Sequence, residues 1–171
     1  MTARVREVHH VALSVRDLAA SEAFYGGILG LRRTLDMMIR DPVVLEAMGL
    51  RPGVQGRSVY FQGPSQLGQL ELIQWQGEGL PASPPKRPGD PGMFLLSYEV
   101  AAAELDEILE RARAAGVRIF AEKRVAILEN YGPITVTIFE DPDGVLVELV
   151  SLPTREQIKA FRAAAAGNPG A

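Results

Sequence analysis

The fold of this chain is decided by the stretch His10-Val11-Ala12-Leu13-Ser14-Val15-Arg16-Asp17-Leu18. The run from Val8 to Val15 is rich in β-branched and apolar residues, which predicts a strand. Asp17 then stands where a helix N-cap is expected, and apolar residues recur at helical spacing until Gly30. Residues 8–30 therefore predict a β-strand that passes directly into a capped helix.

The pattern that follows this strand and helix predicts three more strands, at about 32–39, 55–62 and 67–75. A short helix over 42–49 is inserted between the first two of them, with Pro42 just inside its start and Gly49 just past its end. The first half of the chain thus has the element order βαβββ.

The same order returns after a segment rich in proline and glycine. The second half predicts strands at 93–100, 117–126, 133–140 and 144–151, with a helix over 102–115 after the first of them. His10-Val11-Ala12-Leu13-Ser14-Val15 aligns with Leu95-Leu96-Ser97-Tyr98-Glu99-Val100, and the closing strands share Glu71-Leu72-Ile73 and Glu148-Leu149-Val150. The common order of these short matches indicates a duplicated unit.

The predicted class is α+β, with two tandem βαβββ modules that together form one domain. Two one-sided sheets would place their helices outside and leave a cleft between curved mixed sheets. The predicted segments are a first module at 1–76, a linker at 77–91, a second module at 92–152 and a C-terminal helix with its tail at 153–171. Thr154 and Gln157 fit a capping box at the start of that last helix.

Composition excludes several classes of function. The chain has 171 residues, no cysteine and two histidines, His9 and His10. Disulfides, thiolate zinc sites and iron–sulfur clusters are therefore excluded. A net charge of −3 disfavours nucleic acid and anionic membranes as partners. The start of the chain lacks a signal-peptide pattern and no apolar run is long enough to span a membrane, so we expect a cytoplasmic protein with a small-molecule partner.

Several motifs resemble the vicinal oxygen chelate superfamily, which includes glyoxalase I, methylmalonyl-CoA epimerase, extradiol dioxygenases, fosfomycin-resistance enzymes and bleomycin-binding proteins. The resemblance rests on the opening stretch, on Phe24-Tyr25 and Leu29-Gly30-Leu31, and on Ala114-Ala115-Gly116-Val117 and Asp141-Pro142-Asp143-Gly144-Val145-Leu146-Val147-Glu148-Leu149. It covers most of residues 6–151. The superfamily spans several chemistries and also inert binders, so the fold alone does not give the reaction.

The resemblance implies a metal site with ligands from the first and last strands of each module. Carried over by position, these ligands fall on His10, Glu71 and Glu148, while the fourth falls on Leu95, which cannot bind a metal. The donor set of one nitrogen and two oxygens suits one divalent ion, namely Mg²⁺, Mn²⁺, Fe²⁺, Co²⁺, Ni²⁺ or Zn²⁺. The missing fourth ligand keeps a metal-free site open as the alternative. Strand alternation places His9 on the face opposite His10.

Further side chains are predicted to line the substrate cleft: Tyr60, Gln62, Trp75, Leu95, Tyr131, Thr135 and Thr137. The run from Asp141 to Gly144 resembles a cation loop, but its residues are also those of a hairpin turn, which is the reading we favour.

The leading functional prediction is a glyoxalase-like, metal-dependent lyase or isomerase/epimerase that acts on a small oxygenated substrate. In this scheme Glu148 is the catalytic base that moves the proton. The alternative is a metal-free binding protein of the bleomycin-resistance type, favoured by the apolar Leu95. An extradiol dioxygenase ranks third, because it would need a second histidine ligand from another strand. Relatives often dimerise, so a homodimer is expected.

Overall fold

The computed structural model describes residues 7–65, 68–81, 84–129 and 131–166. The predicted tail at 167–171 and the first residues of the chain, 1–6, lie outside the described residues. The chain divides into two compact units, Met1–Pro84 and Pro85–Ala171, called unit 1 and unit 2 below.

Unit 1 has the predicted order βαβββ with one inserted helix. Its elements are β1 (His10–Ser14), α1 (Leu18–Glu22), β2 (Arg32–Ile39), α2 (Pro42–Ala47), β3 (Gln55–Gln62) and β4 (Gln69–Gln76). They form a four-stranded sheet in the order β1-β4-β3-β2. β1 is parallel to β4, and the other neighbours are antiparallel.

Unit 2 repeats this arrangement without the inserted helix. Its elements are β5 (Leu95–Glu99), α3 (Leu105–Ala114), β6 (Ile119–Leu128), β7 (Gly132–Glu140), β8 (Leu146–Ser151) and α4 (Arg155–Ala166). The sheet order is β5-β8-β7-β6, again with a parallel first pair. Two mixed sheets with their helices confirm the predicted α+β class and the two βαβββ modules.

The core of unit 1 lies on the helix side of its sheet. Asp17 caps α1 by accepting hydrogen bonds from the backbone N–H groups of Ala19 and Ala20, a cap that contributes about 1 kcal/mol. The helix continues as a π-helical turn over Ala23–Ile28, which buries Phe24 and Tyr25. On the sheet, the side chains of alternate residues fill the same layer: Leu13, Val59, Phe61, Leu70 and Leu72.

The core of unit 2 follows the same rule. The amphipathic helix α3 buries Leu105, Ile108, Leu109 and Ala112, with Glu and Arg side chains on its other face. The sheet contributes alternate residues of its central strands: Thr137, Phe139, Val147 and Leu149. The buried side chains of each unit thus follow the strand and helix periods.

Element ends differ from the sequence predictions by up to three residues. The helix predicted over 102–115 begins only at Leu105, because residues 102–104 form a turn without a side-chain cap. Of the polar motifs, the capping box is present: Gln157 N donates to Thr154 Oγ1 at 3.3 Å and Thr154 N donates to Gln157 Oε1 at 2.8 Å.

The segment from Asp141 to Gly144 forms the predicted turn between β7 and β8. Asp141 Oδ1 accepts from the backbone N–H of Asp143 and of Val145, and Gly144 has a positive φ of 88°. In the part of the chain that the structure describes, no helix is both long and apolar enough to cross a bilayer.

Candidate functional site

Strand register places several polar residues of unit 1 on one sheet face. Ala12 pairs with Glu71 across β1 and β4, and Glu71 pairs with Tyr60 across β4 and β3. Paired residues point to the same side, and so do residues two positions away along each strand. His10 and Ser58 therefore share this side, which we call the carboxylate face and define by His10, Ser58, Tyr60 and Glu71.

Glu71 is the centre of the carboxylate face. It is only 5% exposed, so its charge is largely removed from water. Its oxygen Oε1 accepts a 2.5 Å hydrogen bond from Ser58 Oγ, and Oε2 lies 3.4 Å from His10 Nε2. Each carboxylate oxygen thus has its own polar neighbour, as a buried carboxylate requires.

His9 also reaches His10, which differs from the sequence prediction. The alternation rule placed His9 on the opposite face, but β1 begins only at His10, so the rule does not apply to the residue before it. The Nδ1 atoms of the two rings lie 2.8 Å apart, a hydrogen-bond distance at which one ring donates its Nδ1 proton and the other accepts the bond. With that proton on His10 Nδ1, Nε2 of His10 carries a lone pair and can bind a metal.

Tyr60 completes the polar group in unit 1. Its ring meets the His10 ring edge-on, with centroids 5.7 Å apart. Burial raises the pKa of Tyr60 to about 12, and its hydrogen bond with the Glu71 carboxylate adds to this effect. The phenol therefore keeps its proton at neutral pH.

Unit 2 contains a corresponding carboxylate with fewer polar neighbours. Glu148 pairs with Ser97 across β5 and β8, and Ser97 Oγ donates to Glu148 Oε2 at 2.6 Å. Leu95 lies two residues before Ser97 and so on the same side of the sheet. It occupies the position that the repeat assigns to His10, as the sequence alignment predicted.

The other predicted cleft residues are divided between sheet faces. Gln62 and Trp75 lie on the carboxylate face, since they alternate with Tyr60 and Glu71 along β3 and β4. Thr135 and Thr137 pair with Ser151 and Leu149, whereas Glu148 pairs with Ile138.

The two threonines therefore lie on the sheet side opposite Glu148, contrary to the expectation that they line its cleft. Thr137 is fully buried there, and its Oγ1 accepts from the backbone N–H of Lys123. Tyr131 lies in the hairpin loop between β6 and β7 and is half-buried. Neither threonine belongs to the face that carries the carboxylate.

The inserted helix α2 covers one end of the carboxylate face. Leu45 of α2 packs with Ile39 and Ile73 in a buried cluster, which Leu50 and Trp75 extend. Trp75 Nε1 also donates to Ser14 Oγ at 3.1 Å. Because Ile73 and Trp75 follow Glu71 on the same face, the insertion buries that end of the sheet, while the His10 side chain remains 38% exposed.

The donor atoms of unit 1 fit two adjacent coordination positions of a divalent ion. Two ligand atoms bound at about 2.0–2.2 Å lie roughly 3.0–3.5 Å apart when they are neighbours around one ion. The separation of His10 Nε2 and Glu71 Oε2 is 3.4 Å. Among the described residues, no group of three or more His, Asp or Glu side chains is placed to hold a metal ion.

Sequence reasoning missed the two serines that hold the carboxylates. Ser58 is fully buried on a strand whose neighbours are mostly apolar, and Ser97 lies directly beside Glu148. A signal for Ser58 was available, because alternation along β3 places it on the same side as Tyr60 and Gln62. The pairing of Ser58 with Glu71 needed the β3–β4 register, which the sequence does not give.

A protein-family model matches most of the chain. The model of the Glyoxalase/Bleomycin resistance protein/Dioxygenase superfamily matches residues 7–149. The chain belongs to this superfamily. The match includes both sheets and the strands that carry His10, Glu71 and Glu148.

Several individual relatives of this superfamily member are known. It is 27% identical over 150 residues to the uncharacterized protein YaeR of Escherichia coli (strain K12), a match covering 85% of this chain and 95% of YaeR. A glyoxalase family protein from Bacillus cereus has a similar structure with a TM-score of 0.75 at 16% identity, covering 89% of this chain and 97% of that one.

A lactoylglutathione lyase from Agrobacterium tumefaciens has a TM-score of 0.52 at 24% identity, covering 87% of this chain and 96% of that one. At these identities the structural matches establish a shared fold. They do not transfer a substrate.

Proposed function

We propose that the protein is a metal-dependent lyase or isomerase/epimerase that acts on a small oxygenated substrate. The observation that carries this proposal is the arrangement of His10 and Glu71, whose Nε2 and Oε2 atoms lie 3.4 Å apart on one sheet face. A buried carboxylate next to an imidazole nitrogen is a ligand pair, and superfamily membership makes a divalent cation the expected occupant. Glu148 of unit 2 is the proposed third ligand.

The surroundings of the pair support this role. Ser58 engages Oε1 of Glu71, so that Oε2 is the oxygen available to a cation. His9 Nδ1 can accept a hydrogen bond from the Nδ1–H group of His10, which leaves Nε2 of His10 free to bind a cation. Partners of this kind fix the orientation of metal ligands and raise their basicity.

Within the proposed reaction, a bound divalent ion would supply Lewis-acid stabilisation of negative charge that develops on substrate oxygens. Glu148 is the proposed base, since it is half-exposed and its one described hydrogen bond leaves Oε1 available for a proton. Tyr60 remains protonated at neutral pH and its ring lies edge-on to the His10 ring, beside the proposed ligands.

Calorimetric titration with Mn²⁺, Ni²⁺ and Zn²⁺ tests the proposal. The wild-type protein should bind one ion, and His10→Ala and Glu148→Gln should each weaken binding by at least about tenfold. Glu99→Gln is the matched control, because Glu99 is an exposed carboxylate on β5 two residues from Ser97. Negligible binding, or equal binding in wild type and His10→Ala, would exclude the metal site.

A metal-free binding protein is the second candidate, and Leu95 is the observation that favours it. An apolar side chain stands where the repeat predicts a histidine, and Ser97 Oγ donates to Glu148 Oε2 without a cation. Thermal stabilisation by aromatic compounds that persists in the presence of a chelator would support this function. An extradiol dioxygenase stays third, since the second histidine of this chain adjoins the first.

A further inference from the structure

Unit 1 contains a cavity whose lining includes none of the four residues that define the carboxylate face. Its volume is about 600 Å³, and it lies between the end of β2, the inserted helix α2 and the loop that leads into β3. This size falls in the range of pockets that accommodate small organic ligands. Neither His10, Glu71 nor Tyr60 lines it.

The apolar walls of the cavity are fixed by packing. Leu45 and Val54 line it and are only 6% and 4% exposed. Leu45 is held by the buried cluster with Ile39 and Ile73. Val54 is held by the chain after β4, because a Cβ on Gly77 would lie 2.9 Å from Val54 Cγ2. The cavity is therefore part of the folded structure of unit 1 and needs no rearrangement to form.

The charged residues around the cavity favour an anion. Arg40 and Arg51 line it together with one carboxylate, Glu46, and all three residues are exposed. The Arg51 guanidinium lies against Gly79, since a Cβ there would be 2.8 Å from Arg51 Nη1. Two guanidinium groups against one carboxylate give the lining a net positive charge at its edge.

We propose that this cavity binds a small organic anion with an apolar, aromatic or branched body. The apolar body would contact Leu45, Leu50 and Val54, while its carboxylate or sulfonate would pair with Arg40 and Arg51. This site does not depend on the proposed metal chemistry, because it shares no residue with the carboxylate face.

The test uses two dyes that differ only in charge. The first, 8-anilino-1-naphthalenesulfonate, carries an aromatic body and a sulfonate, and the second, N-phenyl-1-naphthylamine, is the same body without the sulfonate. Both become fluorescent in an apolar site. The full-length protein should bind the anionic dye more tightly, with changes in amide NMR signals confined to the α2 segment and residues 50–55.

Charge variants give opposite expected shifts. Arg40→Gln and Arg51→Gln should each weaken binding of the anionic dye by about two- to fivefold, as expected for an exposed charge. Glu46→Gln should strengthen binding of the anionic dye alone, whereas partial unfolding would expose apolar surface and increase binding of both dyes. Arg155→Gln, at the exposed start of α4 in unit 2, is the matched control and should change nothing.

Binding of the neutral dye should be the same in all of these variants. The proposal is overturned if the anionic dye does not bind or if the NMR changes lie elsewhere. It is also overturned if the substitutions at 40, 46 and 51 leave the affinity for the anionic dye unchanged. Metal titration of the same variants should match wild type, which keeps this result separate from the test of His10.

Discussion

Ser58 Oγ donates a 2.5 Å hydrogen bond to Glu71 Oε1 between neighbouring strands of unit 1, and both residues are buried. Glu71 on β4 pairs with Tyr60, so Ser58 reaches it diagonally from two residues along β3. The bond leaves the second carboxylate oxygen facing His10. Ser58 belongs to no recognisable sequence motif, yet its hydrogen bond determines which oxygen of Glu71 is available to a ligand.

Removing this hydroxyl should affect both stability and metal binding. Ser58→Ala leaves a buried carboxylate oxygen without its donor, which should cost about 1–3 kcal/mol in the free energy of unfolding. In the proposed metal site it should also weaken affinity by about 10- to 100-fold, as loss of an orienting partner does. Urea unfolding and calorimetric metal titration measure the two effects.

Two variants separate positioning from general stability. Ser58→Thr keeps the hydroxyl and should restore metal affinity. Ser14→Ala removes the hydrogen bond to Trp75 on the same face without touching Glu71, so metal affinity should stay at the wild-type value. Equal affinity in Ser58→Ala and wild type would show that the serine has only a structural role.

Replacing the leucine that stands in place of a histidine should strengthen metal binding. Leu95 shares a sheet side with Ser97 and Glu148, so Leu95→His adds an imidazole to the proposed ligand set. We expect tighter binding in calorimetric titration. Leu96→His is the control, because Leu96 points to the other side of the same strand. Equal metal affinity of Leu95→His and Leu96→His would argue against Glu148 as a ligand.

Stability should fall at alkaline pH partly through Tyr60. Its pKa in the folded protein is about 12, compared with an ordinary value of 10.0. Below pH 10 both states keep the proton. Between about pH 10 and 12 the unfolded chain loses it first, so the stabilising contribution disappears as pH rises through the folded pKa.

Tyr60→Phe should therefore lose less stability than wild type between about pH 9 and 11.5. Urea unfolding at both pH values measures this difference. Tyr98 contributes to the slope in both proteins, since burial and the nearby charge of Asp141 raise its pKa too. Identical slopes in the two proteins would contradict a raised pKa of Tyr60 in the folded protein.

Gly56 should tolerate no side chain, because Trp75 lies directly over it. A Cβ at this position would be 2.7 Å from Trp75 Cζ3 and 2.9 Å from Ile73 Cγ2. Gly56→Ala should lower the free energy of unfolding by about 1–3 kcal/mol. It should also change the emission spectrum of Trp75, which is the one tryptophan of the sequence.

Gly27→Ala is the matched control for this substitution. A Cβ at Gly27 meets nothing within 4 Å, and the residue lies in the helical turn after α1. That variant should keep the emission of wild type and should not be less stable. An unchanged spectrum in Gly56→Ala would show that Trp75 does not pack on this strand.

The sequence alone determined the element order, because each signal for it is local. Asp17 predicts its helix cap, Thr154 and Gln157 predict a capping box, and the segment from Asp141 to Gly144 predicts its turn. The duplication was readable as well, since corresponding strands carry similar short motifs. These signals also identified the superfamily and the absence of a histidine at position 95.

Only the tertiary structure decided which polar groups meet. Register between strands set the bond from Ser58 to Glu71 and moved Thr137 to the side away from Glu148. Each outcome depends on pairing between strands far apart in sequence, and a shift of one residue in register reverses every side chain. Local sequence signals cannot specify that register.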